Sequence, residues 1–275
     1  MLNYYPVSAA LEGRCAFIYC FAPGAGEMRL PALLPQLQIH LSGSIVYRLP
    51  DAEPVRSGSA VLVGSTNRFL DIETDALTTI MGIGFLPDGW RSILRMPADE
   101  ATDRIIDAAA LWPASHLDRL RERMAQAPLA VAATMLDAFV RTRMVGPDPD
   151  PRAAVVDRWI AQAGETSVDR LIGTLDLSLR QVERLTRATH GAPPRLIELK
   201  YRTLRLASEM AVADPTISAT RFASSFYDQS HLIHNFNRFV GTTPRRFHIE
   251  QRFLARQLLV GRWHAGARSP LSLWS

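Results

Sequence analysis

The chain of 275 residues has only two cysteines and no long apolar run. Cys15 and Cys20 are too few for a disulfide framework or for a zinc site with four protein ligands. No stretch approaches the roughly 18 apolar residues that a membrane-spanning helix needs, and the N-terminus has no basic segment followed by an apolar one, as a signal peptide would. These absences predict a cytoplasmic protein without a membrane partner.

The sequence also lacks the common patterns of enzymes. It contains no nucleophile elbow, no G-x-G-x-x-G and no P-loop. His40 is the only histidine among the first 86 residues, whereas a metal-dependent cupin enzyme needs two or three histidines and an acid. We therefore expect no catalytic residues, no cofactor and no metal.

The modest net charge of +4 is the sum of two halves of opposite sign. Residues 1–150 contain 13 basic and 17 acidic side chains, whereas residues 151–275 contain 18 and 10. Between them, Gly146-Pro-Asp-Pro-Asp-Pro151 favours an extended linker at 146–151, because proline disfavours helix. The basic half is expected to bind a polyanion.

The first half, residues 1–145, changes character midway. Short runs rich in β-forming residues at 15–21, 37–41, 45–49, 60–63 and 77–85 are separated by Gly and Pro, which is typical of a sandwich or barrel over 1–86. From 87 to 145 the pattern becomes helical. Segments 115–126 and 129–145 each have one apolar face, which could pack on the barrel or on a second copy of the chain.

The second half is expected to be helical, and residues 167–187 have the layout of a helix-turn-helix unit. Ser167 and Ser178 are good N-caps for two short helices that are separated at Asp176-Leu177. The apolar positions of the first helix are Val168, Leu171, Ile172 and Leu175, and those of the second are Leu179, Val182 and Leu185. The second helix would direct Arg180, Gln181, Glu183, Arg184 and Arg187 outward. A polar, arginine-rich face of this kind suits a DNA major groove about 12 Å wide.

Residues 217–247 repeat this layout. Ile217, Phe222 and Ala223 give a short apolar face, 224–227 give the turn, and Asp228 can cap a helix over 229–240 that Gly241 ends. Its predicted inward residues are Leu232, Ile233, Phe236 and Phe239, and its predicted outward residues are Gln229, Ser230, His231, His234 and Arg238. A continuous helix over 194–212, about 27 Å long, would hold the two units near the roughly 34 Å of one DNA turn.

Residues 153–249 resemble the DNA-binding domain of the AraC/XylS family of bacterial transcription regulators. The resemblance rests on Leu177-Ser-Leu-Arg-Gln-Val-Glu-Arg184, Gly191-x-x-Pro194, Phe226-Tyr-Asp-Gln-Ser-His231 and Phe236-x-x-Phe239-x-Gly241-x-x-Pro244. It implies two helix-turn-helix units joined by a spacer helix. Asp176 stands where the family usually has a turn glycine, and aspartate tolerates the left-handed conformation better than most residues. The first half more weakly resembles the cupin-like β-barrel sensing domains that precede such DNA-binding domains.

The predicted fold is therefore of the α+β class: a cupin-like barrel with a helical pair, then an all-α DNA-binding domain over 152–250 and a C-terminal helix and tail over 251–275. The resemblance assigns base reading to Arg180, Gln181, Glu183, Arg184, Gln229, Ser230, His231 and His234. Phosphate contacts are expected from Arg187, Arg238, Arg245 and Arg246. His231 and His234 lie one turn apart, but no adjacent carboxylate completes a metal site.

The predicted function is that of a sequence-specific, non-catalytic transcription regulator that binds double-stranded DNA. RNA polymerase, a small-molecule effector and a second copy of the chain are its candidate partners. Two alternatives stay open at this point. One is a DNA-repair or cupin-type enzyme fused to a DNA-binding module, and the other is a ligand-independent scaffold that bends DNA.

Overall fold

The computed structural model of the chain describes residues 1–144, 150–212, 229–251, 255–256, 259–262 and 271. Ten strands lie in the first half: β1 (Leu2–Tyr5), β2 (Cys15–Phe21), β3 (Gly26–Leu30), β4 (Gln36–Ser42), β5 (Ile45–Arg48), β6 (Val55–Arg56), β7 (Ala60–Val63), β8 (Leu70–Thr74), β9 (Thr79–Phe85) and β10 (Ile105–Asp107). They form two antiparallel sheets, with strand orders β1-β2-β9-β4-β7-β10 and β3-β8-β5-β6.

The two sheets pack face to face over a shared apolar cluster. Tyr47 and Ile72 come from the smaller sheet, and Val61, Val63 and Ile80 come from the larger one. Side chains alternate across a strand with a period of two, so each strand presents every second residue to this cluster. The β-rich interpretation of residues 1–86 is confirmed, and the five predicted runs all coincide with strands.

Helices cover the other face of the larger sheet. α1 (Pro87–Leu94), α2 (Ala114–Ala125) and α3 (Leu129–Arg141) belong to the first half. Leu117, Met124 and Leu136 of α2 and α3 join Leu37 and Met81 of the sheet in one buried cluster. The predicted helical pair therefore packs on the sheets of its own chain.

The second half is helical in its described residues. It contains α4 (Pro151–Ala161), α5 (Val168–Leu175), α6 (Leu179–His190), α7 (Pro194–Val212) and α8 (Gln229–Val240), followed by a helical turn over Pro244–Arg246 and Phe247–Gln251. Asp150 caps α4 by accepting a hydrogen bond from the Arg152 amide at 3.0 Å. The α+β class and the continuous helix over 194–212 are both confirmed.

Helix α7 connects two separate apolar clusters. Its first half places Ile197 and Tyr201 against Val182 of α6, and its second half places Met210 against Phe236 of α8. One cluster packs against α6 and the other against α8, and Leu196 of α7 borders both.

Two predicted inward residues are in fact exposed. Leu179 keeps 46% of its surface exposed and Ile233 keeps 42%. At about 100° per residue, Ile233 lies a quarter-turn round the helix from buried Leu232. Leu179 lies in the first turn of α6, at the edge of the apolar face that has Val182 at its centre. The predictions for these two residues were wrong because they extended each apolar stripe beyond the partner helix.

The two halves are joined by several hydrogen bonds. The Ala32 amide donates to the Phe239 carbonyl at 2.7 Å, and the Phe69 amide donates to the Arg238 carbonyl at 3.0 Å. Arg29 donates to the Gly241 carbonyl at 2.7 Å. Gly241 has a φ of +81°, and a Cβ at this position would overlap the Arg29 side chain. The end of α8 is thus fitted closely against the β-rich half.

Candidate nucleic-acid interface

Helices α5 and α6 form the first predicted helix-turn-helix unit. Ser167 caps α5 by accepting a hydrogen bond from the Arg170 amide at 3.3 Å. Asp176 ends α5 in the left-handed conformation, with φ 51° and ψ 46°, as expected of an aspartate in place of a turn glycine. The chain then turns within three residues and begins α6 after Ser178.

A reciprocal capping box fixes the start of α6. The Ser178 hydroxyl accepts from the Gln181 amide at 3.4 Å, and the Gln181 side-chain oxygen accepts from the Ser178 amide at 2.9 Å. Gln181 was assigned to base reading, and its carbonyl oxygen is used in this cap. Its NH₂ group keeps the capacity to donate to a base acceptor, whereas a bidentate contact with adenine would need the oxygen as well.

The two sides of α6 differ sharply. Val182, Leu185, Thr186 and Thr189 are buried on one side, whereas Arg180, Gln181, Arg184 and Arg187 are exposed on the other. Glu183 is half-buried at the boundary. Within the described part of the chain, no acidic side chain forms an ion pair with Arg180, Arg184 or Arg187. These guanidinium groups therefore form a positively charged edge.

An interaction that sequence reasoning missed fixes the far end of α6. Nε2 of His190 lies 2.7 Å from Oδ1 of Asp157 on α4, and its Nδ1 lies 2.7 Å from the Thr189 hydroxyl. The histidine side chain is almost completely buried. This contact joins the C-terminal end of α6 to α4.

Helix α8 presents the second predicted set. Ser230, His231, His234 and Arg238 are exposed on it, opposite buried Leu232, Phe236 and Phe239. The side chain of Gln229 lies outside the described residues, as do Ile217, Phe222, Ala223, the turn at 224–227 and Asp228. Among the groups that the structure describes, no cluster of three His, Cys, Asp or Glu residues could hold a metal ion.

The predicted phosphate contacts have different surroundings. Arg245 and Arg246 are exposed in a turn that Thr243 caps at 3.3 Å from the Arg246 amide. Arg238 is also exposed, but its Nε donates to the Asn67 carbonyl at 3.2 Å. In this arrangement Arg238 connects α8 to the β-rich half.

The first half of the chain lies beside the exposed edge of α6. A groove of about 590 Å³ is lined on one side by Asp99 and Glu100, and on the other by Arg180, Arg184 and Arg187. The two acids lie in a short 3₁₀ helix, Ala98–Glu100. Next to it, the Thr102 hydroxyl donates to the Gly191 carbonyl at 3.0 Å, just past the end of α6. An acidic segment thus lies across a narrow groove from the arginines.

A buried chain of polar groups runs through the interior of the β-rich half. Tyr19 bonds to Gln36 and accepts from Gln38 at 2.8 Å, Tyr47 donates to Gln38, and His40 Nε2 lies 3.0 Å from the Tyr47 hydroxyl. Burial lowers the pKa of His40 to about 4, so the ring is neutral at physiological pH.

Four of these groups, Tyr19, Gln36, Gln38 and Tyr47, line a cavity whose lining also includes Arg262. Arg262 donates from Nε to the Tyr4 hydroxyl at 2.9 Å, and its guanidinium lies 5.3 Å from the Phe17 ring centre. The cavity that Arg262, Tyr19 and Gln38 border has a volume of about 60 Å³. That is well below the range of small-molecule sites, which is roughly 300–1,000 Å³. The distant position of Arg262 in the sequence gave no signal of this contact.

Comparison with known proteins gives structural neighbours only. No family model matches the chain. No curated protein sequence matches it. A crystal structure of ToxT from Vibrio cholerae is similar at a TM-score of 0.49 and 11% identity, covering 84% of this chain and 96% of that one. ToxT of V. cholerae strain SCE256 with bound unsaturated fatty acid gives 0.48 and 10%, over 90% and 94%. The AraC-like transcriptional activator CuxR gives 0.32 and 13%, over 70% and 77%.

Proposed function

We propose that this chain is a sequence-specific DNA-binding regulator of transcription. The observation that carries the proposal is α6, a capped helix whose exposed edge bears Arg180, Arg184 and Arg187 and whose other side is anchored in its own core. A helix about 10–12 Å in diameter fits the major groove, and arginine is the side chain best suited to guanine and phosphate. Helix α8, at the other end of α7, supplies a second polar edge.

In this proposal the two helices share the work of recognition. Arg180 and Arg184 lie four residues apart on one side of α6, so both reach the same groove segment. Arg187, Arg245 and Arg246 contact phosphates, which position the protein without reading sequence. On α8, Ser230, His231 and His234 contact bases. No chemical step is required of any of these residues.

Selection of bound DNA from a random pool by the full chain tests this function. We expect a consensus with two half-sites about one helical turn apart, roughly 10 base pairs. The affinity for that site should fall with salt at a slope of about −0.9 per phosphate contacted. A selection that enriches no sequence would refute the proposal.

Two arginine variants should separate base reading from phosphate contact. We expect Arg184→Ala to cost about 1–3 kcal/mol on the selected site and much less on random DNA, because Arg184 reads a base. Arg245→Ala should weaken binding to both DNAs alike and make the salt slope less steep by about 1. Titrations at matched salt measure both effects. An equal loss on both DNAs for Arg184→Ala would contradict its assignment to base reading.

The contacts between the halves support regulation by the first half. Asp99 and Glu100 share a groove with the arginines of α6, so their negative charges would oppose DNA phosphates that approach these arginines. We expect Asp99→Asn with Glu100→Gln to strengthen binding to all DNA sequences about 2- to 5-fold, since each exposed charge contributes only tenths of a kcal/mol. Asp118→Asn with Glu122→Gln on α2 is the matched control, and an equal gain there would show a general charge effect.

Binding of a small-molecule effector and pairing with a second copy of the chain remain predictions. The interior cavity of about 60 Å³ would have to enlarge before it could hold a metabolite. RNA polymerase as a partner is likewise still a prediction. Within the described residues, no helix is both long and apolar enough to cross a membrane.

The buried thiols weigh against the DNA-repair alternative. Cys15 and Cys20 are both buried, and burial raises the pKa of each thiol above its usual value. A nucleophilic cysteine needs an accessible thiolate. Neither thiol therefore suits alkyl transfer from DNA.

A further inference from the structure

Residues 31–35 connect β3 to β4 and are buried, although they form neither a helix nor a strand. A buried loop is unusual, because its backbone polar groups must find partners away from water. Pro31 and Pro35 have no N–H group that needs a partner. The Leu33 amide donates to the Thr66 hydroxyl at 2.8 Å, and the Leu33 carbonyl accepts from the Thr66 amide at 3.1 Å. We call residues 31–35 the connecting segment.

Three successive side chains of the connecting segment enter three different apolar clusters. Ala32 packs in the cluster that α7 forms with α8, and Leu34 packs in the cluster that α7 forms with α4, α5 and α6. Leu33, between them, packs between the two sheets. Each of the three keeps 5% or less of its surface exposed. The segment therefore joins the clusters that support α6 and α8 to the interior of the β-rich half.

Hydrogen bonds also hold the connecting segment to the second half. The Ala32 amide donates at 2.7 Å to the carbonyl of Phe239 in the last turn of α8. Nζ of Lys200, on α7, donates to the Leu33 carbonyl at 3.2 Å. The last four carbonyls of a helix have no partner within that helix. The segment thus supplies a hydrogen bond that water would otherwise supply at the end of α8.

Both α6 and α8 end against side chains of the first half. The carbonyl of Gly191, one residue past α6, accepts from the Thr102 hydroxyl at 3.0 Å. The carbonyl of Gly241, one residue past α8, accepts from Arg29 at 2.7 Å. Nε of Arg29 is itself 2.7 Å from Asp71, and a positive charge is favourable at the C-terminal end of a helix. Equivalent glycines of the two units are therefore in contact with the same half of the chain.

We propose that the connecting segment, together with Arg29, fixes the position of α8 relative to α6, and that Arg29 and Leu34 are positioning residues for DNA recognition. Helix α7 is one connection between the two helices, but a single long helix can bend along its length. A second connection runs from α6 through Leu34 and Ala32 to α8 and opposes such bending. The inference rests on the proposed DNA-binding function, because it concerns how the two helices are presented to DNA.

The spacing between the two half-sites is the property that this second connection controls. One added base pair moves a half-site by about 3.4 Å and turns it by about 35°. Two linked binding units bind together only where their linkage lets both reach their sites, so a stiff linkage selects one spacing and a loose one accepts several. The wild-type chain is therefore expected to bind one spacing tightly and the neighbouring spacings at least about tenfold more weakly.

Spin labels on α6 and α8 test the positioning in the full chain without DNA. Ala188 on α6 and Asn237 on α8 are exposed, whereas Cys15 and Cys20 are buried. Ala188→Cys with Asn237→Cys therefore provides the two thiols that react with the label. Pulsed electron resonance then measures the distribution of distances between the labels, which should be narrow in a chain that carries no other substitution.

Two further substitutions in the labelled chain each remove one contact of the second connection. Leu34→Ala acts on the cluster of α6, and Arg29→Met acts on the end of α8; both should broaden the distance distribution. Leu171→Ala, on α5, truncates the same type of side chain in the same cluster and leaves the connection in place.

Arg48→Met is the control for Arg29→Met, because it removes an exposed arginine that is paired with an acid on the same sheet. Arg29 is exposed as well, so both variants should fold. An unchanged distribution in Leu34→Ala and Arg29→Met would overturn the proposal. Equal broadening in the two controls would also overturn it, because the effect would then be a general loosening.

DNA duplexes that carry the two selected half-sites at spacings from two base pairs shorter to two longer test the consequence for recognition. In unlabelled chains, Leu34→Ala and Arg29→Met should lower the discrimination between spacings to about threefold or less, whereas Leu171→Ala and Arg48→Met should keep it. A duplex with a single half-site should bind Arg29→Met and Arg48→Met equally. A loss there confined to Arg29→Met would show that Arg29 contacts DNA directly and is not a positioning residue.

The two measurements separate this inference from the proposed function. If the distances broaden but the discrimination between spacings is kept, the connecting segment does not set the spacing, and the inference fails while DNA binding stands. If no DNA sequence is selected, the DNA-binding function fails, and the label distances alone decide whether the segment positions α8 relative to α6.

Discussion

The free energy of unfolding of the wild-type chain is expected to rise by about 3 kcal/mol as the pH increases from about 8 to 10.5, and replacing Lys200 with methionine should abolish this rise. Lys200 is the only lysine in the chain, and just 2% of its surface is exposed. It lies on α7, yet its Nζ donates to the Leu33 carbonyl and the Ser65 hydroxyl of the β-rich half, both at 3.2 Å. The charge is thus buried where the two halves meet.

The sign follows from the direction of the pKa change. Burial lowers the pKa of Lys200 from 10.5 to about 8, and the charge of Asp103 only partly opposes this. Between these two values the unfolded chain binds more protons than the folded chain, so the free energy of unfolding rises with pH. The folded state bears the full cost of the buried charge below about pH 8 and is free of it above about 10.5. Methionine, which is of similar length, never bears that cost.

The substitution should be tolerated at pH 7 because it leaves little unsatisfied. The Leu33 carbonyl also accepts from the Thr66 amide at 3.1 Å, so only the Ser65 hydroxyl loses a partner. We expect Lys200→Met to equal or exceed the wild-type free energy of unfolding at pH 7, and the wild type to gain on it steadily up to pH 10.

Urea unfolding of both chains at several pH values measures this difference. Any other group that changes protonation in this range does so in both chains and cancels in the comparison. Arg195→Met, an exposed position on the same helix, is the control and should show a pH-independent difference because arginine stays protonated. A flat difference for Lys200→Met would mean that the lysine has the same pKa in the folded and unfolded chains.

Strand prediction succeeded where apolar residues are continuous. It missed β1, β3, β6, β8 and β10, and β10 (Ile105–Asp107) corrects the prediction that residues 87–145 are helical throughout. β2 and β7 are largely buried, and their bounds match the predicted runs. β3 and β8 were not predicted, because their outward residues are charged: Arg29 and Asp71 pair across them at 2.7 Å. The signal was present in β8, where Leu70, Ile72 and Thr74 alternate with Asp71 and Glu73. Five residues that alternate with period two are therefore enough to predict a strand such as β8.

In the candidate site, too, some features could be predicted from the sequence and others could not. Local chemistry predicted the caps at Ser167 and Ser178, the left-handed Asp176 and the exposed arginines of α6, because each depends on residues a few positions apart. The partners of Lys200, Gly241 and Arg262 lie between 135 and 258 residues away in sequence. Most of these contacts use backbone carbonyls or single hydroxyl groups, which leave no pattern in a sequence. The closeness of the acidic segment to α6 could be found only from the structure.

Phe236→Ala should cost about 3–5 kcal/mol of stability, the largest loss that we expect from one substitution in the DNA-binding half. The ring is completely buried between α7 and α8. It meets Phe247 edge to face, with ring centres 5.5 Å apart, an arrangement worth about 0.5–1.5 kcal/mol beyond burial. Ile233→Ala is the matched control on the same helix: with 42% of its surface exposed, Ile233 should lose less than about 1 kcal/mol.

Because α7 contacts two apolar clusters, Phe236→Ala should affect DNA binding by one of the two units more than by the other. Phe236 belongs to the cluster of Met210 and Phe239, whereas α6 rests on Val182, Leu171 and Tyr201. A loss of packing that is confined to the cluster of Phe236 should loosen α8 and leave α6 in place. Footprinting of Phe236→Ala on the selected site should therefore show protection lost over one half-site and kept over the other. Loss of both half-sites together would mean that α7 transmits the disruption from one unit to the other, and that the two cores are one cooperative unit.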